Sequence, residues 1–159
     1  MPSQIVMDCS GALAAKGLTV AFVESATAGR LSAEFSLCSE SGKVLKGGLV
    51  CYDASLKTGI LRVPKKMIER FTPESAEVTK ELAERLQSFM PADIHIAITG
   101  LTTPGGSETA EKPVGTIFIH ACLKGKSVAA RETFSGSPEE VVLKSIDRVA
   151  LLILDEIPN

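Results

Sequence analysis

Helix-like and strand-like stretches alternate along most of this 159-residue chain, and a single hairpin signal comes late. Strands separated by helices return side by side in parallel, whereas a short turn joins antiparallel neighbours. The order therefore predicts a mixed sheet with helices on both faces. Leu18 to Val23 is short, β-branched and apolar, as a strand covered on both sides should be. Val44 to Tyr52 reads as a second strand, interrupted by Gly47-Gly48, where the strand bulges or something approaches closely. Ile94 to Thr99, Val114 to Leu123 and Ser127 to Phe134 are further strands, the last two joined by Lys124-Gly125-Lys126. Helices are expected at Ile5 to Lys16, Thr27 to Leu37, Ala54 to Leu61, Pro64 to Phe71, Glu74 to Phe89 and Ser137 to Leu154. The helix after Glu74 is the clearest, with Val78, Leu82, Leu86 and Phe89 on one stripe and either Thr72 or Ser75 as its cap. Ser137-Pro138-Glu139-Glu140 is a capping box with Pro at the first helical position. The expectation is an α/β fold: a three-layer α/β/α single domain with a mixed β-sheet, spanning residues 1–159.

Composition narrows the function classes. The formal net charge is −2 and no basic run occurs, which argues against nucleic acid, whose phosphates call for clustered Lys and Arg. Aromatic residues are 4% of the chain and Tyr52 is the only tyrosine, too few for a base-stacking platform. No apolar run approaches membrane-spanning length, and Met1 to Lys16 carries Asp8 and no basic leader, so a cytoplasmic protein is expected. Cys9, Cys38, Cys51 and Cys122 form no CxxC pair, and His95 and His120 are the only histidines. Reduced buried thiols and no metal site are the expectation.

Three segments carry candidate chemistry. Leu101 to Thr116 is a long loop between two core strands; its glycines let backbone approach a ligand, and Lys112 with free amides suits an anion. Thr99-Gly100 at the strand end and Thr116 belong to the same group. Taken alone, the segment reads equally well as a surface crossover of turn residues. Glu24-Ser25-Ala26-Thr27-Ala28-Gly29 ends a buried strand and opens a helix, a place where α/β sheets bind ligands and helix N-termini attract phosphate. Ser25 and Thr27 could add hydroxyl donors, or serve only as a helix cap. Gly47-Gly48 to Tyr52, followed by Lys57, places a tyrosine and a lysine where they can converge, and a partly desolvated Lys can act as base for a serine.

Together these segments resemble one family. Val23-Glu24-Ser25-x-Thr27-x-Gly29, Gly47-Gly48-x-Val50-x-Tyr52-x-x-x-x-Lys57, Thr99-Gly100-x-x-x-Pro104-Gly105-Gly106 and Glu111-Lys112-Pro113-Val114-Gly115-Thr116 are similar to motifs of the C-terminal domain of CinA. The similarity covers nearly the whole chain, and the Glu111 to Thr116 segment is its most specific part. Stand-alone forms of that family are nicotinamide-nucleotide amidases. The resemblance implies hydrolysis of nicotinamide mononucleotide to nicotinic acid mononucleotide and ammonia, with no metal or cofactor, by serine acyl transfer assisted by Lys and Tyr. Carried over, Tyr52 and Lys57 activate the nucleophile or protonate the leaving ammonia. Ser25, Thr27, Gly29, Gly47, Gly48, Thr99, Gly100, Gly105, Lys112 and Thr116 are the implied substrate-binding positions.

The chain departs from the family pattern. Ala26 and Ala28 stand where the family usually has Cys and Gly. Glu40-Ser41-Gly42 stands where it usually has Gly-Ser-Ser, whose second Ser is the nucleophile, and Gly136-Ser137-Pro138 replaces Gly-Asp-Arg. A glycine cannot carry an acyl group, so Ser41 becomes the candidate nucleophile, with Ser39 or Thr99 as substitutes. Two readings follow: an amidase, with impairment allowed for, using Ser41, Tyr52 and Lys57, or a catalytically silent module that binds a pyridine nucleotide or related phosphate ligand. Either takes a small-molecule nucleotide as partner, with no nucleic acid and no membrane; homo-oligomerisation is left open.

Overall fold

The computed structural model describes residues 1–159. The elements in order are α1 (Gln4–Ala15), β1 (Val20–Glu24), α2 (Arg30–Ser36), α3 (Ser41–Val44), β2 (Leu45–Val50), α4 (Ala54–Gly59), α5 (Lys65–Phe71), α6 (Ala76–Phe89), β3 (Ile94–Gly100), β4 (Thr116–Leu123), β5 (Lys126–Thr133) and α7 (Pro138–Glu156). The five strands form one sheet in the order β2-β1-β3-β4-β5. β1 is parallel to both β2 and β3, while β3–β4 and β4–β5 are antiparallel. The mixed sheet and the late hairpin are as the sequence order predicts.

Alternation along the central strands builds two cores. Val20 and Phe22 of β1 and Ile94, Ile96 and Ile98 of β3 pack with α1, α2 and α7 on one face. Phe22 meets Phe35 of α2 at a 5.0 Å centroid distance and a 59° tilt, a favourable aromatic geometry. Ala21, Val23 and Ala97 face Val78, Leu82, Ala83 and Leu86 of α6 on the other face. Smaller residues on this second face let α6 lie close to the sheet.

Local differences from the sequence reading have physical causes. The helix expected from Thr27 starts at Arg30, because the carboxylate of Glu24 draws the Thr27 hydroxyl and the Gly29 amide into a turn. A short helix, α3, precedes β2, and β2 ends at Val50 rather than Tyr52. The pairing register slips between Val20 and Ala21, so Lys46 is bulged. Ser75, not Thr72, caps α6, accepting from the Val78 amide at 3.2 Å. Ser137 and Glu140 form the expected capping box on α7.

Candidate active site

β1, β2 and β3 end at the same edge of the sheet, and that shared edge builds the site. Glu24 of β1 is level with Val50 of β2 and Ile98 of β3. The residues that follow, Ser25, Cys51 and Thr99, therefore emerge together. Ser25 continues the pairing by donating its amide to the Ile98 carbonyl at 3.0 Å. Asp53 then caps α4 by accepting from the Ser55 amide at 3.0 Å. One turn of α4 brings Lys57 back over the strand ends.

Lys57 is 1% exposed, and its Nζ donates to Ser25 Oγ at 3.1 Å and to the Cys51 carbonyl at 3.0 Å. Burial pushes this ammonium below the ordinary lysine range; Glu74, Cys51 and Asp53 act in the opposite direction. A neutral amine that keeps one N–H on the Cys51 carbonyl can turn its lone pair to the Ser25 hydroxyl. The arrangement is a serine with a base in hydrogen-bond reach, and the base is held by a third group.

The turn carrying Ser25 is fixed from behind by Glu24. This fully buried carboxylate accepts five hydrogen bonds: Oε1 from Thr27 Oγ1 at 2.5 Å, the Gly29 amide at 3.2 Å and the Leu31 amide at 2.8 Å, and Oε2 from the Ser32 amide at 2.9 Å and Ser32 Oγ at 2.7 Å. Protein charge thus fills the place where a phosphate was expected. Thr27 and Gly29 are spent on the turn and α2, not on a ligand.

Ser25 opens into a cleft of about 190 Å³ lined by Ala26, Tyr52, Glu74, Gly100, Leu101, Thr102, Thr103, Pro104, Gly105 and Gly106. Tyr52 stands at its mouth, 61% exposed. The far wall is the Leu101–Thr116 loop, closed at its base by Leu101 N to Thr116 O at 3.0 Å and Gly115 N to Leu101 O at 2.6 Å. Gly115 has φ +100 and a Cβ there would strike the Phe134 carbonyl, so no other residue closes the base this way.

Several expected binding residues do other work. Lys112 Nζ donates to Thr72 Oγ1 at 2.6 Å, the Glu74 carbonyl at 2.8 Å and Ser107 Oγ at 2.9 Å, which uses its three donors. It straps the loop to the turn before α6. Thr99 Oγ1 pairs with Thr79 Oγ1 at 2.8 Å and docks α6, and Thr116 Oγ1 donates to the Pro113 carbonyl at 2.6 Å. Gly48 makes room for Ser32 of α2 and Gly47 for Met90, so neither borders the cleft. Gly100 and Gly105 do line it.

Ser41 is not brought to Lys57. It begins α3, just before β2, whereas Ser25 and Lys57 follow the strands at the other edge. Six residues of β2 amount to about 20 Å of separation. The serine that meets Lys57 is Ser25, which the sequence reading placed among the binding residues. Glu74 is the residue that reading missed: it marks a helix start in the sequence, yet it lines the cleft. Two long-range bonds fix the position: Lys112 Nζ to the Glu74 carbonyl, 38 residues away, and Ser107 Oγ to Glu74 Oε2, 33 residues away.

The comparisons with known proteins agree with this architecture. The family model described as the CinA C-terminal domain matches residues 3–157. A CinA-like protein of Desulfotalea psychrophila is 35% identical over 139 residues, 87% of this chain and 33% of that protein. A CinA-like protein of Dictyoglomus thermophilum is 33% identical over 140 residues, 88% of this chain and 33% of that protein. The chain thus spans about a third of the length of these curated relatives. A CinA superfamily protein from Escherichia coli superposes with a TM-score of 0.85 at 30% identity, covering 94% of this chain and 88% of that one. A competence or damage-inducible protein from Enterobacter asburiae gives 0.88 at 29% identity, covering 96% and 98%. The chain belongs to the CinA C-terminal domain family.

Proposed function

We propose that this domain is an amide hydrolase that forms an acyl-enzyme on Ser25, with Lys57 as base and nicotinamide mononucleotide as substrate. The 3.1 Å approach of Lys57 Nζ to Ser25 Oγ, at the floor of the cleft, carries the reading. Ser25 Oγ adds to the amide carbonyl as its proton passes to neutral Lys57. That proton then leaves with the amine, releasing ammonia. Water, deprotonated in turn by Lys57, attacks the acyl-Ser25 ester and returns the hydroxyl and the carboxylic product. The amide of Ala26, directly after Ser25, makes no hydrogen bond within the protein and is the nearest backbone donor for the developing oxyanion. Tyr52, at the mouth, is placed to stack on the ring or to hand a proton to the leaving group.

The reading relocates the nucleophile and leaves the chemistry implied by the family resemblance unchanged. Gly42 and Ser41 sit at the other edge of the sheet, so a glycine there does not remove the serine that Lys57 activates. The test is ammonia release from nicotinamide mononucleotide. Ser25→Ala and Lys57→Met should each lower kcat/KM by at least about 10³-fold, and Ser41→Ala should leave it within about two-fold. Activity that survives Ser25→Ala would refute the assignment. Ligand-dependent thermal stabilisation without any ammonia would identify a binding module instead.

A further inference from the structure

The cleft lining holds one carboxylic acid and no lysine or arginine, Lys57 lying behind Ser25. That acid is Glu74. Its Oε2 accepts from Ser107 Oγ at 2.6 Å, which fixes the carboxylate against the far wall, and it takes part in no ion pair. Besides Lys57, the cation near it is Lys112, whose donors point to Thr72, Ser107 and the Glu74 carbonyl and which does not line the cleft. When Lys57 is neutral, as a base must be, the Glu74 carboxylate is the charge that faces the cleft, with the Lys112 ammonium behind it. Glu74 is half-buried in the same lining as Ser25, so water screens its charge less than at the open surface.

We infer that Glu74 is the charge-selecting residue of the cleft: it favours amides whose ring bears a positive charge and disfavours the carboxylate that hydrolysis leaves behind. The inference takes its site from the amidase reading but concerns recognition, so binding measurements can judge it apart from catalysis. A cationic ring beside the Ser25–Lys57 pair gains attraction to Glu74 that a neutral ring of the same shape lacks. After hydrolysis the new carboxylate shares the cleft with Glu74, and repulsion promotes release. Nothing in the cleft lining supplies a cation for a phosphate, so charge recognition here falls on the ring.

The probes are 1-methylnicotinamide, a cationic amide, and 3-methylbenzamide, its neutral isostere. Kd for each would be measured by calorimetry on the intact chain carrying Ser25→Ala, which blocks turnover. The cation should bind at least about ten-fold tighter than its isostere. Glu74→Gln, whose amide oxygen can still accept from Ser107, should bring that ratio close to one, and Glu74→Asp should keep most of it. A ratio unchanged by Glu74→Gln, or no preference for the cation with Glu74 present, would overturn the inference. Ammonia release by the Ser25-containing protein is read separately. Its absence, with the binding preference intact, would refute the amidase and leave the role of Glu74 standing.

Discussion

Lys57 has two hydrogen-bond partners, a carbonyl and a hydroxyl, and almost no water, and those neighbours decide what it can do. Burial disfavours its charged form, whereas Glu74 favours it. If Lys57 must be neutral to act, kcat/KM for ammonia release rises with pH along a limb below the ordinary lysine range. Glu74→Gln removes a charge that holds the proton, so it should move this limb to lower pH; an unmoved limb would assign the titration to another group. A second prediction concerns Ala28, whose φ is +47. An L residue is disfavoured there, so Ala28→Gly should stabilise the protein by about 0.5–1 kcal/mol, or roughly 2–3 °C in Tm, net of the extra freedom glycine has when unfolded. Lys57 was legible in the sequence as a lysine just past a strand. Its partner was not, because the distance between Ser25 and Lys57 depends on β1 and β2 lying side by side, which no local pattern encodes. One inference was nevertheless available: Ser41 precedes the strand that Lys57 follows, so the two belong at opposite ends of it.

At the level of elements, the Leu101–Thr116 loop is held in place by side chains. The Lys112 ammonium joins it to Thr72 and Glu74, and Ser107 adds a bond to the Glu74 carboxylate. Hydrogen bonds from a charged donor are each worth about 1.5–3 kcal/mol, though part of that returns when water takes their place. Lys112→Met should therefore cost about 1–3 kcal/mol in global stability and more in the local stability of the loop. Faster proteolysis and faster amide exchange at residues 102–110, with exchange in β1 and β3 changed little, would mark a strap. Uniform acceleration across the sheet would mean that Lys112 supports the core. The loop was legible as an unusual feature, but the partners of its lysine were not: a cation among glycines suggests an anion, whereas Thr72 and the Glu74 carbonyl come to it from 40 and 38 residues away. The same holds for α2, where the expected phosphate position at the N-terminus is filled by Glu24, seven residues before the Leu31 amide it binds. Capping residues usually act within three positions, so a strand residue serving this way leaves little local signature.

For the molecule as a whole, periodicity carried the layers and the mixed sheet, while the strand order β2-β1-β3-β4-β5 rests on long-range packing. The same packing buries the four free cysteines, and this gives the fold an alkaline limit. Burial, the larger cause, and the neighbouring Cys38 push the Cys9 thiol from 9.0 up to about 12, and burial also raises Cys38, Cys51 and Cys122. A group whose folded-state value lies above its unfolded value favours folding fully below the unfolded value and less as pH climbs past it. Between about pH 9 and 12 the unfolded chain loses thiol protons that the folded one keeps, so stability falls with rising pH. For Cys9 alone this is on the order of 4 kcal/mol, a large share of the stability of a typical domain. Lys57 and Lys112 act the other way, because burial lowers both, and their contribution rises with pH up to 10.5. The lysines thus oppose the thiols across this range, and the share of Cys9 is read by difference. With urea midpoints measured from pH 7 to 11 for the parent and for Cys9→Ala, the parent should lose stability relative to the variant above about pH 9. Cys9→Ala should lower the midpoint at pH 7 by removing a buried sulfur, and it should also flatten the alkaline fall. An unchanged alkaline slope in Cys9→Ala would place the limiting ionisation on another group.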